Sequence, residues 1–359
     1  MNKVILAVAG SRKTQSIVDA CASAPEGRRI LALTFTLTGQ AELTGRLQKA
    51  CPAGAMPEVM GWYSFLLRHW VRPFLPIVYP DRRLRGFNFD GESAKGRYAS
   101  GEERFLDRDG RAYKLHLSKL ATDVSKASKG MVVNRLQRIY DEIYIDEVQD
   151  LTGCDLYVLE ELMRSTIDLT VVGDIRQSVF DTNPRDRNLP QYRGINMLDW
   201  FAKHEKSGAL VIEHSTQTWR SNQQIATFSD SIFPNSLNFA PTESMERAAT
   251  AHDGLFALAP HDLSDYVEQY DPLCLRYSKT TAADVDLPFR NFGVVKGITV
   301  DRVLIYPTKP IAKFLTSGAA LAPSTACGLY VAVTRARHSV AFVLENPAKY
   351  SLQIWESKG

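Results

Sequence analysis

The sequence of 359 residues has few cysteines and no long apolar segment. Its five cysteines are scattered along the chain, without the paired spacing of a zinc site or of a disulfide framework. No stretch approaches the roughly 18 to 20 consecutive apolar residues that cross a membrane, and the apolar start of the chain continues into a polar loop rather than a cleavage site. These absences predict a cytoplasmic protein with reduced thiols and no membrane partner.

The overall charge excludes little. A net charge of +3 permits an anionic partner but is too small to identify one. The hydrophobic content of 45% and the charged content of 23% are typical of a globular protein, and the length suffices for two hydrophobic cores. We therefore expect two domains.

The first motif is a strand, a loop and a helix near the start of the chain. An apolar run over residues 4–8 is followed by a Gly-Ser turn, and Lys13 and Thr14 open an amphipathic stretch. In this context backbone N–H groups bind phosphates, a lysine contacts the β- and γ-phosphates, and a hydroxyl binds Mg²⁺. The residues predicted to bind nucleotide here are Ala9, Gly10, Ser11, Arg12, Lys13, Thr14 and Gln15.

Arg12 departs from the phosphate-loop pattern GxxxxGK[ST], which has glycine at its position, and Ala7 replaces the first glycine of that pattern. A left-handed backbone costs a non-glycine residue about 1 to 2 kcal/mol, so we expect Arg12 to weaken binding without abolishing it. Two backbone conformations stay open, a strained left-handed one and a right-handed helical one. In either, we expect the guanidinium to turn away from the phosphates or toward the opposing domain.

A second motif follows an apolar strand in the middle of the chain. Residues 143–145 lead directly into Asp146 and Glu147, where an ATPase needs one carboxylate for Mg²⁺ and another to polarise the attacking water. Two acidic residues after a strand are common, but Gln149 and Asp150 complete a DExQD box, which is far more specific. The sequence thus predicts Asp146 and Thr14 as magnesium ligands and Glu147 as a catalytic residue.

With both motifs, the sequence resembles the UvrD/Rep/PcrA family of superfamily 1 DNA helicases, in a compact form. Segments similar to that family's motifs Ia, Ib, III, IV, V and VI follow in the family's order, at residues 30–47, 61–70, 169–180, 218–225, 294–307 and 330–343. The resemblance covers most of the chain. It implies two RecA-like α/β domains with mainly parallel sheets and ATP in the cleft between them, the first at residues 1–198 and the second at residues 199–359.

The first domain is predicted to carry a small insertion at about residues 76–130. From residue 81 to residue 129 the chain has 12 Lys/Arg and 8 Asp/Glu, with aromatic residues among them. Two interpretations stay open: a solvated, flexible segment, or a surface for single-stranded nucleic acid or a partner protein. The distance between motifs IV and V leaves no room for the large accessory insertion that helicases of this family carry in the second core domain.

The resemblance also implies roles for individual residues. Gln177 would sense the γ-phosphate, and Trp219 would stack on adenine while Arg220, the next residue, would reach the γ-phosphate. Arg335 would be the arginine finger. The chemistry agrees, because an aromatic face suits a purine and a guanidinium suits a phosphate. The predicted catalytic residues are Glu147, Gln177, Arg220 and Arg335, and motif V supplies two further cofactor-binding residues, Lys296 and Gly297.

Single-stranded DNA is the partner that the resemblance implies. The predicted contacts come from motifs Ia, Ib and III, and they are Thr34, Phe35, Thr36, Trp62, Tyr63 and Phe180. Stacking of bases on aromatic rings tolerates any base sequence, and RNA stays open as a substrate.

The leading functional hypothesis is ATP hydrolysis coupled to binding of, or translocation along, single-stranded DNA, with ATP and Mg²⁺ as cofactors. The alternative is an ATP- or DNA-sensing switch subunit that regulates a partner effector, such as a nuclease in an antiviral phage-defence system. The reduced accessory parts favour this alternative. A third hypothesis, an inactive nucleic-acid-binding core, is suggested by Arg12 and opposed by the intact carboxylates.

Overall fold

The computed structural model describes residues 1–52, 54–180, 182–183 and 185–357. The chain divides into two compact units. The first comprises Met1–Leu6, Lys13–Gly173 and Asp181–Glu213, and the second comprises Ala7–Arg12, Asp174–Phe180 and His214–Gly359. Two short segments, residues 7–12 and 174–180, thus pack with the second unit although the chain on both sides of each belongs to the first.

The first unit is built on a six-stranded sheet. Its strands are β1 Lys3–Ala7, β2 Ile30–Thr34, β3 Glu58–Gly61, β4 Glu142–Ile145, β5 Asp168–Gly173 and β6 Val211–Ser215. They lie in the order β3-β2-β4-β5-β1-β6, and the pairs from β3 to β1 are parallel. All residues of β2 are buried, as expected of a parallel strand whose two faces are both covered.

Helices connect the strands of the first unit. The α-helices are Lys13–Ala22, Leu37–Ala50, Trp62–Phe65, Leu75–Val78, Leu117–Ala127, Met131–Gln137, Cys154–Met163 and Met197–Lys206, with a π-helical turn at Leu66–Val71. Short 3-10 turns lie at Gly96–Tyr98, Gly101–Arg104, Lys114–His116, Val148–Asp150, Pro190–Tyr192 and Gly194–Asn196. One core cluster forms where the apolar faces of the first two helices meet β2, and it includes Ile17, Val18, Leu43, Leu47, Ile30 and Ala32.

The predicted insertion at residues 76–130 is partly core and partly surface. Its last helix, Leu117–Ala127, buries its apolar face and packs against Leu66–Val71. Before that helix, Phe89 and Tyr98 are exposed. A small parallel ribbon in this part consists of Gly86–Asn88 and Arg111–Tyr113. Only the part before the helix therefore has the surface character of an insertion.

The second unit repeats the architecture of the first. Its strands are β7 Gly254–Leu258, β8 Leu273–Arg276, β9 Arg290–Asn291, β10 Val300–Tyr306, β11 Ala336–Val343 and β12 Gln353–Ile354. They lie in the order β9-β8-β10-β11-β7-β12, with every pair parallel. Counted from the first strand of each sheet, this spatial order is the same as in the first unit. The predicted fold class, two RecA-like α/β domains with mainly parallel sheets, is confirmed.

The helices of the second unit include one that is buried on all sides. The α-helices are Gln223–Ser231, Leu263–Tyr270, Lys309–Ser317 and Pro323–Val333. Short 3-10 turns lie at Ile175–Gln177, Asn235–Leu237, Pro260–Asp262, Phe292–Val295 and Pro347–Lys349, and a parallel ribbon pairs Gln217–Thr218 with Glu243–Ser244. Every residue of Pro323–Val333 from Ala326 onward is buried. Such a helix lies inside its unit, so a polar group on it must find its partners there.

The predicted boundary between residues 198 and 199 falls inside the helix Met197–Lys206. The division into compact units comes instead between Glu213 and His214. Residues 358–359, the end of the second predicted domain, lie outside the described residues.

None of the helices in the described part of the chain combines the length and the apolarity that crossing a membrane would require.

Candidate active site

In the first unit, the predicted magnesium ligands are in direct contact. Asp146 directly follows β4 and is buried, with 5% of its surface exposed. Thr14, the second residue of the helix Lys13–Ala22, donates its hydroxyl to Asp146 Oδ2 at 2.8 Å. The order of the parallel strands brings the carboxyl ends of β1 and β4 to one edge of the sheet, with β5 between them. The fold therefore joins two motifs that are 132 residues apart.

The electrostatics of Asp146 suit a bound cation. The pKa of this carboxyl is raised to about 6, because burial and then the neighbouring Glu147 charge raise it by more than Lys13 and Thr14 lower it. A carboxylate beside a hydroxyl is an oxygen donor set of the kind that Mg²⁺ takes, usually together with phosphate oxygens and water. Among the described residues, no cluster of three or more His, Cys, Asp or Glu side chains could hold a metal ion.

Glu147 has a left-handed backbone, with φ 56°. Its N–H donates to Asp146 Oδ1 at 2.9 Å, and its carboxylate accepts a hydrogen bond from the side-chain amide of the buried Gln149. Strained backbone of this kind persists where the surroundings hold it, often at functional positions. The DExQD box thus directs one carboxyl toward Thr14 and fixes the other through Gln149.

The start of the phosphate loop packs against other residues of the second unit, to which it belongs. A Cβ on Gly10 would lie 2.6 Å from Thr218 Oγ1 and 2.7 Å from Arg220 Cβ, so only glycine fits there. Ala9 is buried, its carbonyl accepts from Thr218 Oγ1 at 2.7 Å, and its N–H donates to the Tyr330 hydroxyl at 3.0 Å. Both backbone polar groups of Ala9 are thus bonded within the protein, and binding of nucleotide by Ala9 stays a prediction.

Arg12 adopts the strained alternative, a left-handed backbone with φ 62°. Its guanidinium carbon lies 3.8 Å from the centroid of the Trp219 ring, a stacked cation–π contact. The Trp219 side chain is 40% exposed, and the backbone N–H of this residue donates to the Gly10 carbonyl at 3.0 Å. The side chain that breaks the phosphate-loop pattern therefore covers part of the aromatic surface predicted to receive adenine.

Two serine hydroxyl groups of the second unit are buried and have no hydrogen-bond partner among the described residues. They are Ser11 Oγ and Ser178 Oγ. Both belong to the short segments of the second unit that carry the phosphate loop and motif III. By contrast, the Gln15 amide donates to Asp19 and accepts from Arg46 on the helix surface.

Gln177 and Arg335 are hydrogen-bonded to one another. Arg335 Nη2 donates to Gln177 Oε1 at 3.2 Å, and Gln177 Nε2 donates to Asp174 Oδ2 at 2.7 Å. Arg335 is 1% exposed, and its Nε donates to the Val331 carbonyl at 2.8 Å. The second predicted arginine, Arg220, donates to the carbonyl of Thr334 at 3.1 Å. The second unit thus brings Gln177 and Arg335 together and fixes both arginines on backbone oxygens.

The sequence analysis did not predict a buried polar cluster in the second unit, which consists of Asp174, Arg176, Asp230 and Tyr330. Arg176 is 3% exposed and pairs with Asp230 at 2.7 Å. Burial acts to lower the pKa of Arg176, but Tyr330, Asp174 and Asp230 together raise it above its ordinary value. Tyr330 is buried and donates its hydroxyl to Asp174 Oδ2 at 3.0 Å. The signal for this cluster was the pair of charged residues in the otherwise apolar run LTVVGDIRQSVF.

One predicted nucleic-acid contact is wrong. Trp62 is fully buried, and its indole N–H donates to Asp155 Oδ1 at 2.7 Å. Asp155 is also fully buried and accepts from Ser118 and Thr182, so Trp62 belongs to a polar hub of the core. A ring without an exposed face cannot stack on a base. Thr34, at the end of β2, is buried as well.

The other predicted nucleic-acid residues are at least partly accessible. Thr36 is exposed, and its side chain accepts the Gly39 N–H at the start of a helix. Phe35 is half-buried, while Tyr63 donates its hydroxyl to the Thr182 carbonyl at 2.6 Å.

In the second unit, Phe180 and the motif V lysine lie close together. Phe180 is 47% exposed, and the Lys296 ammonium lies 6.0 Å from its ring centroid. Gly297 has a φ of 88°, a conformation that favours glycine. The structure therefore groups a predicted DNA contact with a predicted cofactor-binding residue.

Comparison with known proteins agrees with this arrangement. Residues 94–183 match the family model of the UvrD/REP helicase N-terminal domain. That range contains both the DExQD box and Gln177. Over these residues the chain is similar to the N-terminal domain of UvrD/REP helicases. The resemblance inferred from the motifs is confirmed, and the roles of the individual residues stay predictions.

Solved structures of one viral helicase are similar to this chain. For arterivirus nonstructural protein 10, a helicase, in complex with DNA, the identity is 13%, the similarity covers 96% of this chain and 60% of that chain, and the TM-score is 0.47. For the same arterivirus helicase in another crystal structure, the values are 13%, 97%, 62% and 0.49. This chain thus spans less than two thirds of the length of those helicases. No curated protein matches the sequence.

Proposed function

We propose that this UvrD-like core hydrolyses ATP and couples hydrolysis to movement on, or binding of, single-stranded DNA. The observation that carries the proposal is the contact of Thr14 with Asp146, which places a phosphate-loop hydroxyl on a buried carboxylate directly after β4. This pairing of hydroxyl and carboxylate is how P-loop ATPases hold their Mg²⁺.

Each residue of the first unit has a distinct part in the proposed reaction. Thr14 and Asp146 would hold Mg²⁺, which neutralises phosphate charge when it is bound. Lys13, next to Thr14, offsets charge on the β- and γ-phosphates. Glu147 orients the attacking water and takes up its proton, and its hydrogen bond from Gln149 fixes the carboxylate for that step.

In the second unit, Gln177 contacts the γ-phosphate, and Arg220 and Arg335 stabilise the charge that develops on it. The unpartnered hydroxyls of Ser11 and Ser178 support a ligand rich in hydrogen-bond acceptors, because a buried hydroxyl without a partner is costly. Trp219 offers an aromatic surface for the adenine, and 40% of it stays exposed although Arg12 stacks on it.

Single-stranded DNA is favoured as the partner by an exposed aromatic ring near a cation. Phe180 and Lys296 combine a surface for base stacking with a positive charge for the backbone. Phe35 and Thr36 add a half-buried ring and an exposed hydroxyl directly after β2.

The test is the steady-state ATPase rate of the purified chain alone, with single-stranded DNA and with RNA of the same length. The proposal requires hydrolysis that depends on Mg²⁺ and that DNA stimulates. Stimulation by RNA alone would change the substrate class. Hydrolysis that responds only to a bound effector protein would support a regulatory switch, and no hydrolysis in any condition would support an inactive core.

A further inference from the structure

A buried tyrosine joins the phosphate loop to motif III. The Tyr330 hydroxyl accepts the N–H of Ala9 at 3.0 Å and donates to Asp174 Oδ2 at 3.0 Å. Tyr330 is 1% exposed and lies on the helix Pro323–Val333, which is buried on all sides. Both hydrogen bonds therefore form away from solvent, where an unpaired partner is costly.

The same carboxylate oxygen continues the connection to the predicted arginine finger. Asp174 Oδ2 also accepts from Gln177 Nε2 at 2.7 Å, and Gln177 Oε1 accepts from Arg335 Nη2 at 3.2 Å. The loop backbone and the Arg335 guanidinium thus stand at the two ends of one series of hydrogen bonds. Both ends of the Gln177 amide are engaged in this series, so a γ-phosphate that recruits Gln177 must exchange one of these bonds.

The tyrosine ring is held independently of its hydroxyl. The Arg176 guanidinium lies 4.7 Å from the Tyr330 ring centroid, and the Phe233 ring packs edge-on at 5.5 Å. Burial raises the pKa of Tyr330, which keeps the hydroxyl protonated and able to donate to Asp174. Phenylalanine at this position would keep the ring contacts and lose only the two hydrogen bonds.

We propose that Tyr330 is a positioning residue for ATP hydrolysis. Its hydroxyl fixes the phosphate-loop backbone at Ala9 and orients Asp174, and Asp174 in turn holds Gln177 where it meets Arg335. The arrival of a γ-phosphate at Gln177 is thereby coupled to the loop that carries the nucleotide. This inference rests on the proposed ATPase function and adds to it a residue outside the predicted catalytic set.

The first test compares Tyr330→Phe with Tyr266→Phe, a matched control. Tyr266 is a fully buried tyrosine of the same unit, whose hydroxyl bonds to His252. We expect Tyr330→Phe to lower kcat about tenfold while KM for ATP changes less than about threefold, because the ground-state contacts of the nucleotide remain. Tyr266→Phe should leave both constants unchanged. Equal behaviour of the two variants in an active enzyme would overturn the inference.

The second test asks whether Tyr330 acts through Gln177. In a double-mutant cycle with Gln177→Ala, adding Tyr330→Phe should lower kcat by less than about twofold, because the residue that it positions is already absent. Additive effects would show that Tyr330 acts on the rate by another route, against the proposal. If Tyr330→Phe does not fold, Asp174→Asn tests the same series of hydrogen bonds and should lower kcat with KM retained.

The third test does not depend on turnover. In the nucleotide-free protein, amide hydrogen exchange at Ala9 should be faster in Tyr330→Phe than in the wild type, and unchanged in Tyr266→Phe. Unchanged exchange in Tyr330→Phe would overturn the link itself. A wild-type chain that hydrolyses no ATP would overturn the proposed function and the coupling with it, an outcome distinct from an active enzyme that is indifferent to Tyr330→Phe.

Discussion

The two sheets share one strand order but carry their predicted site residues at opposite edges. In the first unit, Lys13 and Thr14 begin the helix that comes after β1, and the DExQD box follows β4, so both lie near the carboxyl ends of parallel strands. In the second unit, Arg335 directly precedes β11 and Gly297 lies shortly before β10, at the amino ends. The predicted site residues therefore agree with the rule that ligands bind at the carboxyl edge of a parallel sheet only in the first unit.

The chemistry of the two edges differs in the same way. At the first edge, burial disfavours the charged form of Asp146, and a cation would relieve that cost. At the second edge, the positive charges are already stabilised, because Arg335 and Arg220 donate to backbone carbonyls at 2.8 and 3.1 Å. A cation would therefore stabilise the charged carboxylate at the first edge. At the second edge, hydrogen bonds already hold the guanidinium groups in a fixed orientation.

The largest effect is expected at the first edge, for Glu147→Gln. We expect kcat to fall by about 10² or more, because the amide cannot accept the proton of the attacking water, while binding of a non-hydrolysable ATP analogue is retained through Asp146 and Thr14. ATPase kinetics and calorimetry measure the two quantities. Glu42→Gln, on the surface of the helix Leu37–Ala50, is the matched control. Loss of analogue binding together with hydrolysis would contradict these roles.

The next effect separates an exposed ring from a buried one. Phe180→Ala should weaken binding of single-stranded DNA by about 1 to 3 kcal/mol with little change in the free energy of unfolding, because the ring is 47% exposed.

The substitution of the buried ring, Trp62→Phe, should leave DNA affinity unchanged and lower the free energy of unfolding by about 1 to 3 kcal/mol, since Asp155 loses the indole N–H. Fluorescence anisotropy and thermal unfolding measure these effects. Weaker DNA binding by a stable Trp62→Phe protein would show that Trp62 contacts single-stranded DNA after all.

The sequence predicted the first edge better than the second for physical reasons. Lys13, Thr14 and Asp146 are polar residues directly after apolar strands, so topology alone brings them together. The pairing of Gln177 with Arg335 depends on how the turn Ile175–Gln177 packs against the buried helix Pro323–Val333. A local sequence pattern does not predict such packing.

Burial was the other quantity that the sequence could not supply. Trp62 follows β3 at the edge where contacts were expected, but its ring points into the core and meets Asp155. The mainly parallel sheets and the polar residues at strand ends were thus predictable, and the direction of side chains was not.

A smaller effect concerns pH and would sharpen the contrast between the edges. Because the pKa of Asp146 is raised to about 6, protons compete with Mg²⁺ below that pH, and Mg²⁺-dependent binding of the analogue should weaken by up to about tenfold per pH unit. Comparison with Asp146→Asn by calorimetry subtracts the titration of the nucleotide itself. In the metal-free protein, a lower pH should have the opposite effect on stability. As the pH falls from about 6 toward the ordinary pKa of Asp146, protonation of this carboxyl should increase the free energy of unfolding. The same pH dependence in both proteins would exclude Asp146 as its source.

The smallest effect is expected for Arg12, in the phosphate loop. Arg12→Gly removes a left-handed backbone strain of about 1 kcal/mol and uncovers the Trp219 ring, so affinity for a non-hydrolysable ATP analogue should stay the same or rise by up to about tenfold. Arg12→Ala separates the two causes, because alanine keeps the strain and uncovers the ring. A gain shared by both variants would come from Trp219, and a gain limited to glycine would come from the backbone. Calorimetry measures each affinity. A wild-type chain that binds no analogue, with binding restored only in Arg12→Gly, would show that Arg12 has inactivated the site, and the first edge would then keep the geometry of an ATPase without its function.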